Sequence, residues 1–318
     1  MKSSSPPVVD NVADRLCGKI SRRRALFVAT GALAHLVAGC TPHVLTLARC
    51  PAVPDDFEPI SEFEPRTVLR TGPRSGPVIV LLHELPGLSP ANMGLARCLA
   101  GEGFSVHLPL MFGTRGQDNW LLGYFQSCAR SSFECSKLST NSPIVGWIRT
   151  VCRRVADQSD GPIAVIGMCL TGAFPLACLA ETRVRGVILC QPTVPFALGG
   201  TPNDDQKVDL GMDPRDLDVA VRSDVPILAM RYTRDQKSPA ERMQILRWTF
   251  GDRLATIEID GEGHSTLAGD FDEGAFADAV SYLIVALRRG PGPRAMRLAK
   301  VGGEACEITP EGRWRVRR

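Results

Sequence analysis

The chain has 318 residues, of which 44% are hydrophobic and 22% charged, with a formal net charge of +3. That composition suits one large core or two modest ones in an ordinary globular protein. Six Lys/Arg stand against two acids in residues 1–40, nine against three in 288–318, and 22 against 29 in the body between. An acidic body without a basic, aromatic-interleaved face argues against nucleic-acid binding.

Eleven cysteines and five histidines contain no C-x-x-C and no metal-ligand spacing, so no metal and no organic cofactor is expected. Cys98, Cys152, Cys178 and Cys190 fall in apolar helix or strand patterns and read as small buried hydrophobes. Cys128 and Cys135 flank a polar loop and are a candidate pair only in an oxidising compartment. No disulfide framework is expected.

The N-terminus reads as an address. Ser21-Arg22-Arg23-Arg24 opens an acid-free apolar stretch ending at Gly39. At about 1.5 Å per residue, 25–39 is too short for a bilayer core of about 30 Å and suits a signal-peptide apolar region. The arginine pair resembles a twin-arginine export signal, and Val37-Ala38-Gly39-Cys40 resembles a bacterial lipobox. Cys40 would then be lipidated and anchor the mature protein to the envelope membrane. A cytoplasmic enzyme with a basic tail is the alternative. Residues 41–60, with Pro42, Pro51, Pro54 and Pro59, read as a linker.

The body follows as alternating strands and helices. The run 78–83 (Val-Ile-Val-Leu-Leu-His) predicts a strand buried on both faces, and 91–101 has helical spacing up to stop signals at Gly101 and Gly103. Strands are predicted at 104–109, 163–166, 184–190, 225–230 and 255–259. Helices are predicted at 144–156, 170–180, 238–249 and 272–288. The alternation implies an α/β fold with a mostly parallel central sheet and helices on both faces. One catalytic domain is expected over 61–289. Residues 111–142 read as a lid-like insertion, 191–212 as a Pro/Gly/Asp loop, and 290–318 as a basic, mobile tail.

Three residue types sit just past predicted strands. Cys169 occupies Gly167-Met168-Cys169-Leu170-Thr171-Gly172 after the strand ending at 166; Asp235 follows the strand ending at 230; His264 lies in Gly263-His264-Ser265 after the last strand. Nucleophile, acid and histidine in that chain order form the triad order of an α/β-hydrolase, with a thiol in place of serine. A strand-to-helix elbow strains its turn residue and needs small neighbours, which Gly167 and Gly172 supply. The following helix would place its positive end at the sulfur and favour thiolate. Asp260, next to the histidine loop, and Asp270, at the start of the last helix, are weaker rivals to Asp235.

The segments His83-Glu84-Leu85-Pro86-Gly87, Ala96-Arg97-Cys98-Leu99-Ala100-Gly101-Glu102-Gly103-Phe104, the cysteine elbow, Asp235 and Gly263-His264 resemble the dienelactone hydrolase family over about residues 70–287. The resemblance implies an α/β-hydrolase fold with Cys169, Asp235 and His264 as triad and Glu84 taking part in activating the thiol. It implies oxyanion donors in the backbone N–H groups of Leu85 and Leu170, each worth about 3–4 kcal/mol of barrier in comparable sites. Two departures stand out. Thr171 replaces a usual glycine, and Ser265-Thr266-Leu267-Ala268-Gly269 lacks the arginine that holds the dienelactone carboxylate. Arg231 and Arg234 are the candidate substitutes.

The expected function is cofactor-free hydrolysis of a small ester, thioester or lactone. The rival is an envelope-anchored ligand-binding protein that keeps the fold without turnover.

Overall fold

The computed structural model describes residues 56–116, 118–119, 143–193 and 202–287, together with the backbone of 298–301, 304–308 and 314–316. The export signal, Cys40, Cys128, Cys135 and most of the lid-like insertion lie outside the described residues.

Eight strands form one sheet: β1 (Glu58–Pro59), β2 (Val68–Thr71), β3 (Val78–Leu82), β4 (Ser105–Pro109), β5 (Ile163–Met168), β6 (Val184–Cys190), β7 (Ile227–Tyr232) and β8 (Leu254–Ile259). The spatial order is β1-β2-β4-β3-β5-β6-β7-β8. β3 to β8 pair in parallel, while β1 and β2 add an antiparallel edge. The expected α/β fold with a mostly parallel sheet is therefore present. β1 and β2 were not foreseen; they are short and carry little periodicity.

Alternate residues of each central strand feed two cores. Val80, Leu82, Val165, Leu189 and Ala229 pack on one face; Ile79, Leu81, Ile166, Ile188 and Met230 pack on the other. Full burial of each large aliphatic side chain contributes about 1.5–3 kcal/mol. Over the first face lies α2 (Pro143–Asp157), which buries Ile144, Val145, Ile148, Val151, Cys152 and Val155 at helical spacing. Its Arg149 donates from Nε to the carbonyl of Ala177 at 2.9 Å and pairs with Asp216, tying three elements together. α5 (Pro214–Arg222) and α6 (Ala240–Phe250) complete that layer.

On the second face lie α1 (Pro90–Gly101) and α7 (Glu273–Ala286). α1 starts where Ser89 accepts from the N–H of Asn92 and Pro90 fills the first turn. Tyr282 of α7 anchors that helix to the sheet, donating to the Pro226 carbonyl at 2.6 Å and accepting from Val187 N at 2.7 Å.

Several boundaries differ from expectation. Phe57 is buried, so the folded body begins inside the expected linker 41–60. The 191–212 loop contains α4 (Asp204–Val208), opened by a capping box between Asn203 and Gln206. The expected tail contains three backbone strands, β9 (Leu298–Val301), β10 (Glu304–Ile308) and β11 (Trp314–Val316), in an antiparallel sheet. Its arginines hide the strand signal because cross-strand pairing, not charge count, decides pairing.

The expected helix 170–180 is broken into a 3-10 turn at Cys169–Thr171, one α-turn, α3 (Phe174–Ala177), and a second 3-10 turn at Cys178–Ala180. Pro175 is one cause, since it lacks an N–H for the helix ladder. The dipole reaching Cys169 is thus that of single turns, not of a long helix. Cys152, Cys178 and Cys190 are free and buried, as expected. Cys98 departs from expectation: it is disulfide-bonded.

Candidate active site

Strand register aligns the site before any side chain is considered. Leu82 of β3 is opposite Gly167 of β5, Met168 is opposite Cys190 of β6, and Cys190 is opposite Met230 of β7. Chain leaving these strands therefore emerges along one edge, carrying Glu84, Cys169, Gln191 and, after β7, Asp235. In open α/β sheets ligands bind outside the carboxyl ends of the strands.

Cys169 has φ 52°, a left-handed conformation unusual for a residue with a Cβ. Its carbonyl accepts from Gly172 N at 2.9 Å and Thr193 N at 3.1 Å, which holds the turn. A Cβ on Gly167 would meet the Thr171 carbonyl oxygen at 2.3 Å, and one on Gly172 would meet Pro192 Cα at 2.6 Å. The elbow admits nothing larger at either position.

Thr171, the departure from the family pattern, turns out to be integral to the turn. Its Oγ1 accepts from Met168 N at 3.1 Å and lies within donating distance of the carbonyls of Met168, Leu82 and His83 (3.0, 3.2 and 3.3 Å). The hydroxyl thus joins the elbow to the end of β3, where Glu84 and Leu85 follow.

His264 lies beside Asp235, with Nδ1 2.7 Å from Oδ2; their side chains are 14% and 2% exposed. The other carboxylate oxygen, Oδ1, accepts from Lys237 N and Ser238 N, fixing the acid. Burial disfavours the imidazolium, but the charges of Asp235 and Cys169 and hydrogen bonds with both residues outweigh it and raise the His264 pKa well above its ordinary value. Cys169 Sγ, a ring nitrogen of His264 and a carboxylate oxygen of Glu84 all lie within 4.8 Å of one another.

Glu84 is buried, and its Oε2 accepts from Gln191 Nε2 at 3.2 Å while Oε1 accepts from Ser265 Oγ. Burial raises its pKa, opposed by His264 and by these two hydrogen bonds. Gln191 itself has φ 33° and accepts at Oε1 from Thr266 Oγ1 at 2.7 Å, linking the Glu84 loop to the histidine loop. Thr193 Oγ1 lies 3.6 Å from Cys169 Sγ.

The structure thus brings together Cys169, Asp235, His264 and Glu84, with Leu85 and Leu170 adjacent to Glu84 and Cys169 in chain. The rivals to Asp235 are occupied elsewhere. Asp260 pairs with Arg234, and Asp270 accepts from the N–H groups of His264 and Ser265, shaping the loop. Arg231 is buried and donates to the carbonyls of Ser238, Thr233 and Asp235; Arg234 also pairs with Glu262 at the surface. Both guanidiniums are committed to loop carbonyls or surface acids, so neither takes the place of the family's missing arginine.

Sequence reasoning missed Gln191, Thr193 and Ser265. Each is within three residues of a strand end or of His264, and that position is the signal that could have found them. It also missed the use of His83, whose Nε2 accepts from Met111 N at 3.0 Å and whose Nδ1 donates to the Glu84 carbonyl at 3.1 Å. Burial lowers its pKa to about 4, the Glu84 hydrogen bond notwithstanding, so the ring stays neutral and fixes the loop before Leu85.

The family model for the dienelactone hydrolase family matches residues 64–272. No curated protein sequence matches the chain. Among solved structures, one from Klebsiella pneumoniae subsp. pneumoniae MGH 78578, provisionally designated a dienelactone hydrolase, superposes with TM-score 0.52 at 13% identity, covering 69% of this chain and 92% of that one. A puromycin hydrolase gives TM-score 0.50 at 18% identity over 71% of this chain and 39% of its own. Pyrococcus horikoshii acylaminoacyl peptidase gives 0.50 at 13% over 74% and 42%. These likenesses speak to the fold. The chain belongs to the dienelactone hydrolase family and is a hydrolase.

Proposed function

We propose that the protein hydrolyses small ester, thioester or lactone substrates through a Cys169–His264–Asp235 triad. The single supporting observation is convergence: His264 bridges Asp235 at 2.7 Å and lies within 4.8 Å of Cys169 and Glu84, on a strained elbow at the strand ends. His264 takes the thiol proton, and Asp235 holds the ring with Nε2 toward sulfur and stabilises the imidazolium. Glu84 lies close enough to Cys169 to assist in its activation. The thiolate attacks the carbonyl, and the oxyanion is received by the N–H groups of Leu85 and Leu170. The imidazolium protonates the leaving oxygen or sulfur (which in a lactone stays tethered to the acyl group), leaving an acyl-enzyme. His264 then deprotonates water for the second attack; as the C–S bond breaks and the acid leaves, the imidazolium returns that proton to the sulfur and restores Cys169.

With Arg231 and Arg234 committed to loop carbonyls and surface acids, uncharged acyl groups are favoured over a carboxylate-bearing dienelactone. The binding-protein alternative drew on Thr171 and on the missing arginine; the hydroxyl's bonding within the elbow removes the first motive and leaves the second. Hydrolysis of a p-nitrophenyl ester by the wild type, lost in Cys169→Ala, is the expected result; equal rates would remove the sulfur from the reaction. Absence of both turnover and iodoacetamide reactivity at Cys169 would favour the binder.

Export and lipidation at Cys40 belong to the same proposal. The Cys98 disulfide supports an oxidising compartment. Among the described residues no helix is long and apolar enough to cross a membrane. Mass spectrometry of the mature N-terminus decides: an intact Met1 would refute it.

A further inference from the structure

The donors gathered at the elbow differ in chemistry, and each has its own outer support. Cys169 Sγ, a ring nitrogen of His264 and a Glu84 oxygen lie within 4.8 Å of one another. Behind His264, Asp235 holds Nδ1 at 2.7 Å; behind Glu84 stand Gln191 and Ser265. His264 Nε2, the nitrogen Asp235 does not use, is buried. A carboxylate behind an imidazole, and hydrogen bonds behind a carboxylate, are the supports that fix tautomer and direction in metal sites. Thiolate, imidazole and carboxylate together form a three-ligand set that suits zinc with a fourth position open.

We propose that Cys169, His264 and Glu84 also bind one zinc ion, and that the loaded protein cannot act as a hydrolase. The metal site rests on geometry, whereas the inhibition rests on the function proposed for Cys169. Zinc at its usual bond lengths keeps such donors about 3.5 Å apart, so no pair closes by more than about 1.3 Å. On binding, the S–H bond breaks, its electron pair forms the S–Zn bond, and the proton passes to solvent. No oxidation state changes. The sulfur pair needed for attack on a carbonyl is then held by the metal.

The test uses the full chain after chelator treatment and dialysis. Calorimetric titration with Zn²⁺ should give the wild type one more equivalent than Cys169→Ser, and Glu84→Gln should weaken that equivalent at least about tenfold. Co²⁺ should produce a thiolate charge-transfer absorption in the wild type that Cys169→Ser lacks. A measurement on the wild type alone avoids any folding defect: one equivalent of Zn²⁺ should slow iodoacetamide alkylation of Cys169, read by peptide mass spectrometry, at least tenfold, and a chelator should restore it. Equal stoichiometry in wild type and Cys169→Ser, unchanged affinity in Glu84→Gln, or unprotected Cys169 overturns the proposal. Zinc binding here without ester hydrolysis would sink the hydrolase reading and leave the metal site standing. Hydrolysis indifferent to saturating zinc would do the reverse.

Discussion

His107 makes the most quantitative prediction. It sits on β4 and is 6% exposed. Burial lowers its pKa to about 4; a hydrogen bond to the Ser105 backbone opposes this, and Arg70, its direct cross-strand partner on β2, reinforces it. In the unfolded chain the pKa is near 6.5, so between pH 6.5 and 4 the unfolded state binds the extra proton. The contribution is complete above pH 6.5 and is lost as pH falls toward 4. A difference of 2.5 pH units corresponds to about 3 kcal/mol in all, of which about 2 kcal/mol is lost between pH 7 and pH 5. His83, lowered to about 4 in the same way, acts in the same direction and cancels when wild type is compared with His107→Leu. Urea unfolding at pH 7 and pH 5 should show wild type losing about 2 kcal/mol more than His107→Leu. Equal losses in the two proteins, within about 0.5 kcal/mol, would refute the assignment of a neutral buried ring.

Three further outcomes follow from named contacts. Asp235→Asn frees the imidazole to take the wrong tautomer, so kcat/KM on an activated ester should fall about 10²–10⁴-fold with little change in melting temperature; a loss under about tenfold would deny the acid its orienting role. Thr171→Val keeps the shape but leaves the buried Met168 N–H without its acceptor, and urea unfolding should show about 1–3 kcal/mol of destabilisation. If stability is unchanged, the hydroxyl is not holding the elbow. Gly172→Ala drives a Cβ to 2.6 Å from Pro192 Cα and 2.8 Å from the Cys190 carbonyl oxygen, both backbone atoms, so about 1–3 kcal/mol or more should be lost along with Cys169 reactivity. Wild-type stability with full alkylation would contradict the packing described for the turn.

The sequence by itself determined the alternation of strand and helix, and with it the parallel sheet. Doubly buried strands such as Val78–Leu82 need continuous apolar runs, which are visible without coordinates. It also determined the order of Cys169, Asp235 and His264, because residues just past strand ends must emerge at one edge of such a sheet. Only the tertiary structure decided which acid holds the histidine, since Asp235, Asp260 and Asp270 differ in direction and not in residue type. It also decided the fate of Arg231, turned onto loop carbonyls, and the use of Thr171 as the link between two strand ends. The breakup of the helix after the elbow, the strands within the basic tail and the bonding of Cys98 were likewise beyond periodicity. Spacing along a chain encodes which face a residue occupies. It does not encode where a side chain's polar end points, because that is fixed by partners brought near only when the sheet assembles.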